Sequence, residues 1–291
     1  MSWNARTPSG AKLRLEARVG REGSWSPWYR LATWTGDAPG APVPWQLPSW
    51  AEPRGGGVEL DTDTLCVRAP GASRLQCRIA FFASRSGPRP RVRTLMAALT
   101  AGAKSPVSTA TESPSTAPAP QVALEVPYRS QRWERPELAS RICCPTSLSM
   151  ALSYFGVDRP TEEIALRCYD GAHDVFGNWP YAAAAAAELG FDARVTRLRD
   201  WQAVRRLLER GLPVIISVSF KGGELDGSPM QNGTAGHLIL VRGLTGDGRV
   251  LVNDPAGHRE ADGRTAYRAD QLLAAWRNGA AIVISPRQQG R

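Results

Sequence analysis

Several features that mark other classes of protein are missing from this sequence. It has no apolar run as long as a membrane-spanning helix, and residues 1–6 lack the basic, apolar and small-residue order of a secretory signal. Its five cysteines follow no zinc-binding spacing and no dense disulfide framework, and their odd number predicts a free or reactive thiol. We therefore expect a soluble globular protein with no transmembrane segment, no metal and no other cofactor. It is either cytoplasmic or exported by a leader that lies outside this sequence.

The net charge of +9 would suit a polyanionic partner such as nucleic acid or an anionic polymer. The basic residues, however, are nearly all arginine and are scattered singly among alanine, glycine and proline. The sequence has no basic run and no basic motif with interleaved aromatic residues. We therefore expect no binding of nucleic acid.

Composition and periodicity divide the chain into three parts. Residues 1–100 contain short alternating runs separated by turn residues, which predicts a small all-β sandwich domain. Residues 101–121 are rich in proline, serine, threonine and alanine and are predicted to form an extended linker. Residues 122–291 combine helical and strand patterns and are predicted to form a second domain. Because such linkers are common in exported proteins, a secreted or cell-surface location is favoured over a cytoplasmic one.

Two cysteines of the first domain flank a turn at residues 69–72 and could face each other across a hairpin. The alternation of apolar residues, however, places Cys66 on the outer face of its strand and Cys77 on the inner face of the next. We therefore expect no disulfide between them unless a bulge shifts the register.

Six of the ten tryptophans fall within the first fifty residues. They could form a stacking platform for sugar rings, or they could fill the core of the small β domain. We expect core packing, because aromatic side chains bury a large apolar area each.

Cys143 and Cys144 open the stretch around which the second domain is organised. Apolar residues recur with helical spacing from Leu148 to Phe155, and Gly156 is placed to end the helix. Unpaired N–H groups and the positive dipole end at a helix N-terminus lower the pKa of a thiol, which makes it nucleophilic. The alternative is that both cysteines are small buried residues that pack the start of the helix.

A thiolate nucleophile needs a base, and the base needs an orienting partner. His237 begins a predicted strand and Asp254 follows the next strand, with a turn at residues 246–248, so both should lie at the same end of one hairpin. Taken singly, His237 could be an ordinary strand histidine and Asp254 a turn residue. His258, in a polar loop, is a second candidate base. His173 is expected to line a cleft or to be exposed.

Four separated motifs, in this order, resemble those of the papain-fold cysteine peptidases, and among them the bacteriocin (double-glycine) leader peptidases. They are residues 126–131 ending in Gln131, residues 143–150 (CCPTSLSM), Gly236 and His237 on a strand, and Asn253, Asp254 and Pro255. The resemblance covers residues 122–286. It implies an α+β fold, a papain-like peptidase domain in which N-terminal helices pack on an antiparallel sheet.

The resemblance also implies a role for each motif residue. Cys143 would be the nucleophile, His237 the general base and acid, and Asp254 the residue that orients His237. Gln131 would donate to the oxyanion. The family usually has glycine or serine after the nucleophile, whereas here that residue is Cys144, which we expect to cap the helix. Residues expected to contact the substrate are Asn178, Trp179 and Gly236.

We expect, on this resemblance, a cysteine peptidase that cleaves a peptide or amide bond of a peptide or protein substrate through an acyl-enzyme on Cys143. A leader-peptide substrate is not implied, because no transporter-type membrane segment is present. One alternative is an acyltransferase or transpeptidase that passes the acyl group to an amine. Another is a non-catalytic protein that binds a cell-surface polymer through its N-terminal domain.

The N-terminal domain is itself similar to accessory domains that precede such peptidases in exported bacterial proteins. The similarity depends mainly on residues 25–29 (WSPWY) and residues 60–65 (LDTDTL). We expect the protein to be a monomer.

Overall fold

The computed structural model describes residues 1–21, 23–36, 57–68, 70–83, 85–100 and 121–287. Within these ranges the N-terminal region is all-β, as predicted, and the C-terminal region is α+β, with helices and an antiparallel sheet. No helix in these ranges is long and apolar enough to cross a membrane. The predicted linker at residues 101–121 lies outside the described residues except for its last position.

The N-terminal region is built around one long strand, β2 (Lys12–Arg21), in which Leu13, Leu15, Ala17 and Val19 alternate and are buried. It pairs with β3 (Ser24–Trp25), β4 (Tyr29–Thr35) and β7 (Ala72–Phe82). The other described strands are β1 (Ser2–Arg6) paired with β8 (Arg91–Met96), and β5 (Val58–Asp61) paired with β6 (Thr64–Val67). All of these pairs are antiparallel. The sandwich arrangement of the region stays a prediction.

Cys66 and Cys77 do not form a disulfide, as predicted. The physical reason, however, is the pairing of the strands and not the alternation of apolar residues. The two strands that flank the turn are not partners. Cys66 in β6 pairs with Glu59 of β5, whereas Cys77 in β7 pairs with Ala17 of β2. The two thiols therefore belong to different sheets.

The tryptophans of the N-terminal region have two different environments. Trp3 and Trp34 are only 1% and 6% exposed, as core packing predicts. Trp25 is 37% exposed and Trp28 is half-buried, and the Arg18 guanidinium lies 4.7 Å and 4.6 Å from their two rings. Core packing was therefore the wrong prediction for Trp25, which stacks with a cation at the surface. Trp45 and Trp50 lie outside the described residues.

The C-terminal region opens with helices and ends with most of its strands. Its described helices are a 3-10 helix (Gln131–Trp133), α1 (Pro136–Ala139), α2 (Cys143–Tyr154), α3 (Thr161–Cys168), α4 (Trp179–Glu188), α5 (Trp201–Leu208), α6 (Glu260–Gly263) and α7 (Ala269–Ala275). Its described strands are β9 (Val122–Ala123), β10 (Phe191–Arg197), β11 (Val214–Lys221), β12 (Gly233–Leu244), β13 (Arg249–Asn253), β14 (Arg264–Arg268) and β15 (Trp276–Pro286). The sheet order is β10-β15-β11-β12-β13-β14, and β9 pairs with β12.

Local sequence signals account for the limits of these helices. α5 begins after Asp200, whose carboxylate accepts a 2.7 Å hydrogen bond from the backbone N–H of Ala203, as the capping pattern predicts. α4 begins at Trp179, three residues before the alanine run at residues 182–187, because Asn178 caps it. It ends before Gly190, which has a φ of 96° that favours glycine.

Helices cover both faces of the central strands, which explains why these strands are apolar without alternation. Ile215 and Leu240 face the core shared with α2 and α4, whereas Ile216 and Val241 face the core shared with α5 and α7. The predicted helices on an antiparallel sheet are confirmed, with a second helical layer on the other face.

The N-terminal region packs directly on the C-terminal region. Trp3, Trp34 and Tyr181 of α4 meet edge to face, with ring centroids 5.5–5.9 Å apart. The side chains of Ser2 and Asn4 accept hydrogen bonds from the N–H groups of Val195 and Ala193 in β10. Side chains of β1 thus accept hydrogen bonds from two backbone N–H groups of β10, which is an edge strand of the second sheet. The two regions also share one apolar core.

Candidate active site

The site begins at the N-terminus of α2. Cys143 is its first residue and Ile142 is its N-cap, without a side-chain hydrogen bond. Cys144 is the second helical residue and is fully buried in the main core, so its predicted role as the helix cap is wrong. An apolar thiol that packs inward cannot turn back to the helix end. Pro145 has no N–H, and the Thr146 N–H donates to the Ile142 carbonyl at 2.9 Å, so the Cys143 N–H is the one at this helix end left for another acceptor.

His237 and Asp254 are brought together by the hairpin of β12 and β13. β12 begins at Gly233, four residues before the predicted strand start at His237. Asp254 directly follows β13, and its Oδ1 lies 2.7 Å from His237 Nε2. Both side chains are almost completely buried. The short contact in a water-poor setting fixes the orientation of the imidazole ring.

Asp254 is held by three hydrogen-bond donors. Besides His237, the Tyr267 hydroxyl donates to Oδ2 at 2.7 Å and the Ala256 N–H donates to Oδ1 at 2.9 Å. Burial alone would raise the pKa of this carboxyl, but the charge and hydrogen bond of His237, with the other two donors, hold it below its ordinary value. Asp254 is therefore an ionised carboxylate.

Cys143 and His237 perturb each other as a coupled pair. Burial would raise the pKa of the Cys143 thiol, but the hydrogen bond and charge of His237 and the N–H groups of Leu238 and Cys144 lower it below the ordinary thiol value. Burial would lower the pKa of His237, but Asp254 and Cys143 raise it to about 10. The favoured state is a thiolate beside an imidazolium. Since Nε2 bonds Asp254, Nδ1 is the nitrogen left to face the sulfur.

Gln131 lies beside the same end of the hairpin. Its backbone N–H donates to the carbonyl of Pro255 at 2.9 Å, and its side-chain Nε2 donates to the carbonyl of Ala139 at 2.8 Å. The side chain is buried, and its Oε1 has no hydrogen-bond partner among the described residues. One hydrogen of the amide is thus used within the protein and the second is left for another acceptor. Its role toward the oxyanion stays a prediction.

Two family models match the chain, one for each region. The model of the Peptidase_C39 like family matches residues 123–281, and that of the Peptidase C39 N-terminal domain matches residues 1–100.

The chain belongs to the C39-like peptidase family. A solved structure from Bacillus anthracis, described as a C39-like peptidase, is 19% identical over 59% of this chain and 100% of its own, with a TM-score of 0.45. Xylellain, a cysteine protease from Xylella fastidiosa, is 12% identical over 59% of this chain and 88% of its own, with a TM-score of 0.39. No curated protein matches the chain. The family assignment therefore depends on the sequence models.

The two other histidines of this C39-like peptidase lie away from the Cys143 pair. His258 is exposed, and its carbonyl accepts a hydrogen bond from the Trp133 indole at 2.8 Å. His173 Nδ1 lies 2.8 Å from Asp170 Oδ2, and its side chain is 35% exposed. His237, not the second candidate His258, is the histidine bonded to Cys143. Among the described residues, no cluster of histidine, cysteine and acidic side chains could hold a metal ion.

The three residues predicted to contact substrate differ in exposure. Asn178 is 2% exposed, and its side chain caps α4 and donates to Asp170 at 2.8 Å, so the structure gives it a structural role. Trp179 is half-buried at the start of α4, and Gly236 is exposed next to His237. Contact of these residues with a substrate stays a prediction.

Sequence reasoning missed Tyr267 and Tyr128 as parts of the C39-like site. Tyr267 lies in β14, which pairs with β13, and its side chain reaches the carboxylate that follows β13. The Tyr128 hydroxyl lies 3.0 Å from the carbonyls of both Asp254 and Gly257. Only Tyr267 had a usable signal, since it is a buried tyrosine on a strand next to the Asp254 strand, and a buried hydroxyl needs a partner.

Proposed function

We propose that this chain is a cysteine peptidase that hydrolyses a peptide or amide bond through an acyl-enzyme on Cys143. The observation that carries the proposal is the continuous series of hydrogen bonds from the half-buried Cys143 through the buried His237 to Asp254. Such a series supplies a nucleophile, a proton carrier and an orienting carboxylate in one line. Membership of the C39-like family supports the same reaction class.

In the first half-reaction, the Cys143 thiolate attacks the carbonyl carbon and a C–S bond forms. The negative charge moves to the carbonyl oxygen, where the backbone N–H of Cys143 at the start of α2 and the second amide hydrogen of Gln131 would stabilise it. His237 then gives its proton to the leaving nitrogen as the C–N bond breaks. The amine leaves, and the acyl group stays on sulfur.

In the second half-reaction, His237 is neutral and takes a proton from water. The resulting hydroxide attacks the thioester, the C–S bond breaks, and a carboxylic acid is released. Cys143 returns as a thiolate beside a protonated His237. Asp254 stays ionised throughout and stabilises the imidazolium whenever it forms. A peptide or protein is thus the proposed substrate. Monomeric state and a secreted or cell-surface location stay predictions.

The test is alkylation of the protein by iodoacetamide at neutral pH, with the labelled cysteines identified by mass spectrometry. Cys66 and Cys77 are half-buried and are replaced by serine in every sample, so that they add no background. Wild-type Cys143 should react faster than a free thiol, and Cys143→Ala should abolish both labelling and peptide hydrolysis. Labelling that persists in Cys143→Ala and disappears in Cys144→Ala would show that Cys144 is the reactive thiol and that the assignment of Cys143 is wrong. An added amine acceptor separates hydrolysis from acyl transfer by its product.

A further inference from the structure

A cavity of about 740 Å³ lies between the N-terminal and C-terminal regions. Its walls come from both regions. Aliphatic side chains of the N-terminal region face an aromatic ring and a guanidinium of the C-terminal region, and this lining includes Leu65, Val67, Leu75, Leu99, Trp179 and Arg197. Cavities of this size, lined by apolar groups from two regions, are typical of binding sites.

Three of the lining side chains are large apolar groups left open to water. Val67 is 40% exposed, Leu75 is 38% exposed and Leu99 is 74% exposed. A single exposed leucine needs no explanation, but three such groups around one concave surface indicate a surface that a ligand covers.

The charged residues of the cavity are already engaged by the protein. The Arg197 guanidinium donates to the carbonyls of Arg277 and Asn278 and lies 5.5 Å from the centre of the Trp179 ring. The Asp63 carboxylate accepts hydrogen bonds from the Thr64 hydroxyl and from the backbone N–H of Trp179. Arg68 also lines the cavity and donates to Glu59 at 2.8 Å, so the leucine and valine side chains are the groups that the cavity leaves open to a ligand.

The turn between β5 and β6 is fixed against the catalytic region. Asp63, at the tip of the turn, accepts a hydrogen bond from the backbone N–H of Trp179, the first residue of α4. Burial raises the pKa of the Cys144 thiol, and the charge of Asp63 adds to that rise. Burial raises the pKa of Asp63, and the hydrogen bonds from Thr64 and Trp179 offset part of that rise. The turn therefore holds Leu65 and Val67 at a set position beside the helices of the active site.

Neither Cys143 nor His237 lines the cavity, but contacts connect its walls to the elements that carry this pair. Trp179 packs on the same apolar core as Cys143. On the other side, Asn278 lines the cavity, and the guanidinium of the preceding Arg277 lies within 3.4 Å of where a Cβ on Gly236 would be. Gly236 directly precedes His237. The two walls of the cavity thus connect, through Trp179 and Arg277, to α4 and to the start of β12 beside His237.

We propose that the cavity binds a large apolar side chain of the peptide substrate, so that the N-terminal region supplies one wall of the substrate cleft. The inference rests on the proposed peptidase function and adds a substrate class to it. Leu65, Val67, Leu75 and Leu99 are the residues that select the side chain. The N-terminal region is then part of the specificity machinery.

The test compares Leu75→Glu with Leu166→Glu. The two leucines are both 38% exposed, but Leu166 lies on α3 and does not line the cavity. Each protein digests the same library of peptides prepared from a bacterial proteome, and cleavage sites are identified by mass spectrometry. Wild type and Leu166→Glu should prefer a large apolar residue at one fixed position from the cleaved bond. Leu75→Glu should lose about tenfold or more in kcat/KM for such peptides and gain activity toward lysine and arginine there.

Alkylation of Cys143 by iodoacetamide, measured on the same samples, separates the two proposals. Equal alkylation rates with an unchanged cleavage preference in Leu75→Glu would overturn the apolar site and leave the peptidase intact. A wild-type protein that shows no preference for a large apolar residue at any position around the cleaved bond would also overturn the apolar site and leave the peptidase intact. If the wild type neither reacts at Cys143 nor cleaves any peptide, both proposals fail. Leu99→Glu, at a 74% exposed position, gives a second variant that should fold whatever Leu75→Glu does.

Discussion

At the scale of single residues, the hydrogen bonds around Asp254 determine how the imidazole of His237 is held. Each of the two carboxylate oxygens accepts a hydrogen bond from a side chain, Oδ1 from His237 and Oδ2 from Tyr267. With both oxygens engaged, the carboxylate cannot rotate without breaking a buried hydrogen bond, which is costly. Tyr267 is thus a positioning residue that acts through Asp254.

Replacing Tyr267 by phenylalanine should therefore lower kcat with little change in KM. We expect a loss of about tenfold, equivalent to ~1.4 kcal/mol, since the carboxylate keeps two of its three donors. Steady-state kinetics on a peptide substrate measures the change. The matched control is Tyr128→Phe, because the Tyr128 hydroxyl bonds backbone carbonyls and not the carboxylate. Equal effects of the two variants on kcat would argue against a positioning role.

The coupled pKa values of Cys143 and His237 predict the pH dependence of hydrolysis. The active ion pair needs a deprotonated thiol and a protonated imidazole. Since the pKa of Cys143 is lowered and that of His237 is raised to about 10, the pair persists across neutral pH. Activity should fall on the acid side as the thiolate gains a proton and on the alkaline side as His237 loses one. A kcat/KM profile that falls already below pH 8 on its alkaline limb would contradict this pairing.

The sequence was sufficient to place the central residues of the site but not their supporting contacts. His237 and Asp254 could be paired because a hairpin with a short turn fixes which residues share an end. Tyr267 could not be assigned, because its contact depends on how the side chain leaves β14. Cys144 was misplaced as a cap, because the sequence does not show which of two adjacent thiols points into the core.

At the scale of elements, α2 carries Cys143, the proposed nucleophile, and is anchored by a fully buried face. Leu148 and Leu152 have no exposed surface and belong to the core that α2 shares with the sheet. The Ser147 hydroxyl also donates to the carbonyl of Leu238, the residue after His237, at 3.1 Å. The helix and the strand that hold Cys143 and His237 are thus connected directly.

Leu148→Ala should lower the free energy of unfolding by about 2–5 kcal/mol, because it leaves a cavity in a close-packed core. Urea unfolding monitored by tryptophan fluorescence measures the loss. Leu166→Ala is the control, and as a change at a 38% exposed leucine it should cost only about 0.5 kcal/mol. Similar losses for both variants would show that α2 is not anchored as described.

At the scale of the whole molecule, the N-terminal region is packed on the C-terminal region and not merely tethered to it. Glu188 at the end of α4 accepts hydrogen bonds from the Thr7 N–H and from the Trp34 indole. Six consecutive alanines of α4 are almost fully buried, which requires a cover on every side of that helix. The proline-rich linker pattern favoured separate domains, and no local pattern predicts contacts between residues so far apart in sequence.

Trp34→Ala should therefore destabilise the whole chain by about 3–5 kcal/mol, because the indole fills the core between the two regions. Trp25→Ala removes the same side chain from an exposed position, and the Tm should change little. Thermal unfolding followed by circular dichroism compares them. An equal Tm for both variants would contradict the claim that the Trp34 indole stabilises a core shared by the two regions.

The most direct test of the central claim is the rate of Cys143 alkylation by iodoacetamide as a function of pH, in the wild type and in His237→Ala. The wild type should titrate with a thiol pKa below 9, the ordinary value of the group, and react at neutral pH. Without the imidazolium, burial dominates, so the apparent pKa in His237→Ala should rise and the rate at neutral pH should fall. A rate profile that is the same in both proteins, or a wild-type Cys143 that does not react at neutral pH, would contradict a catalytic ion pair.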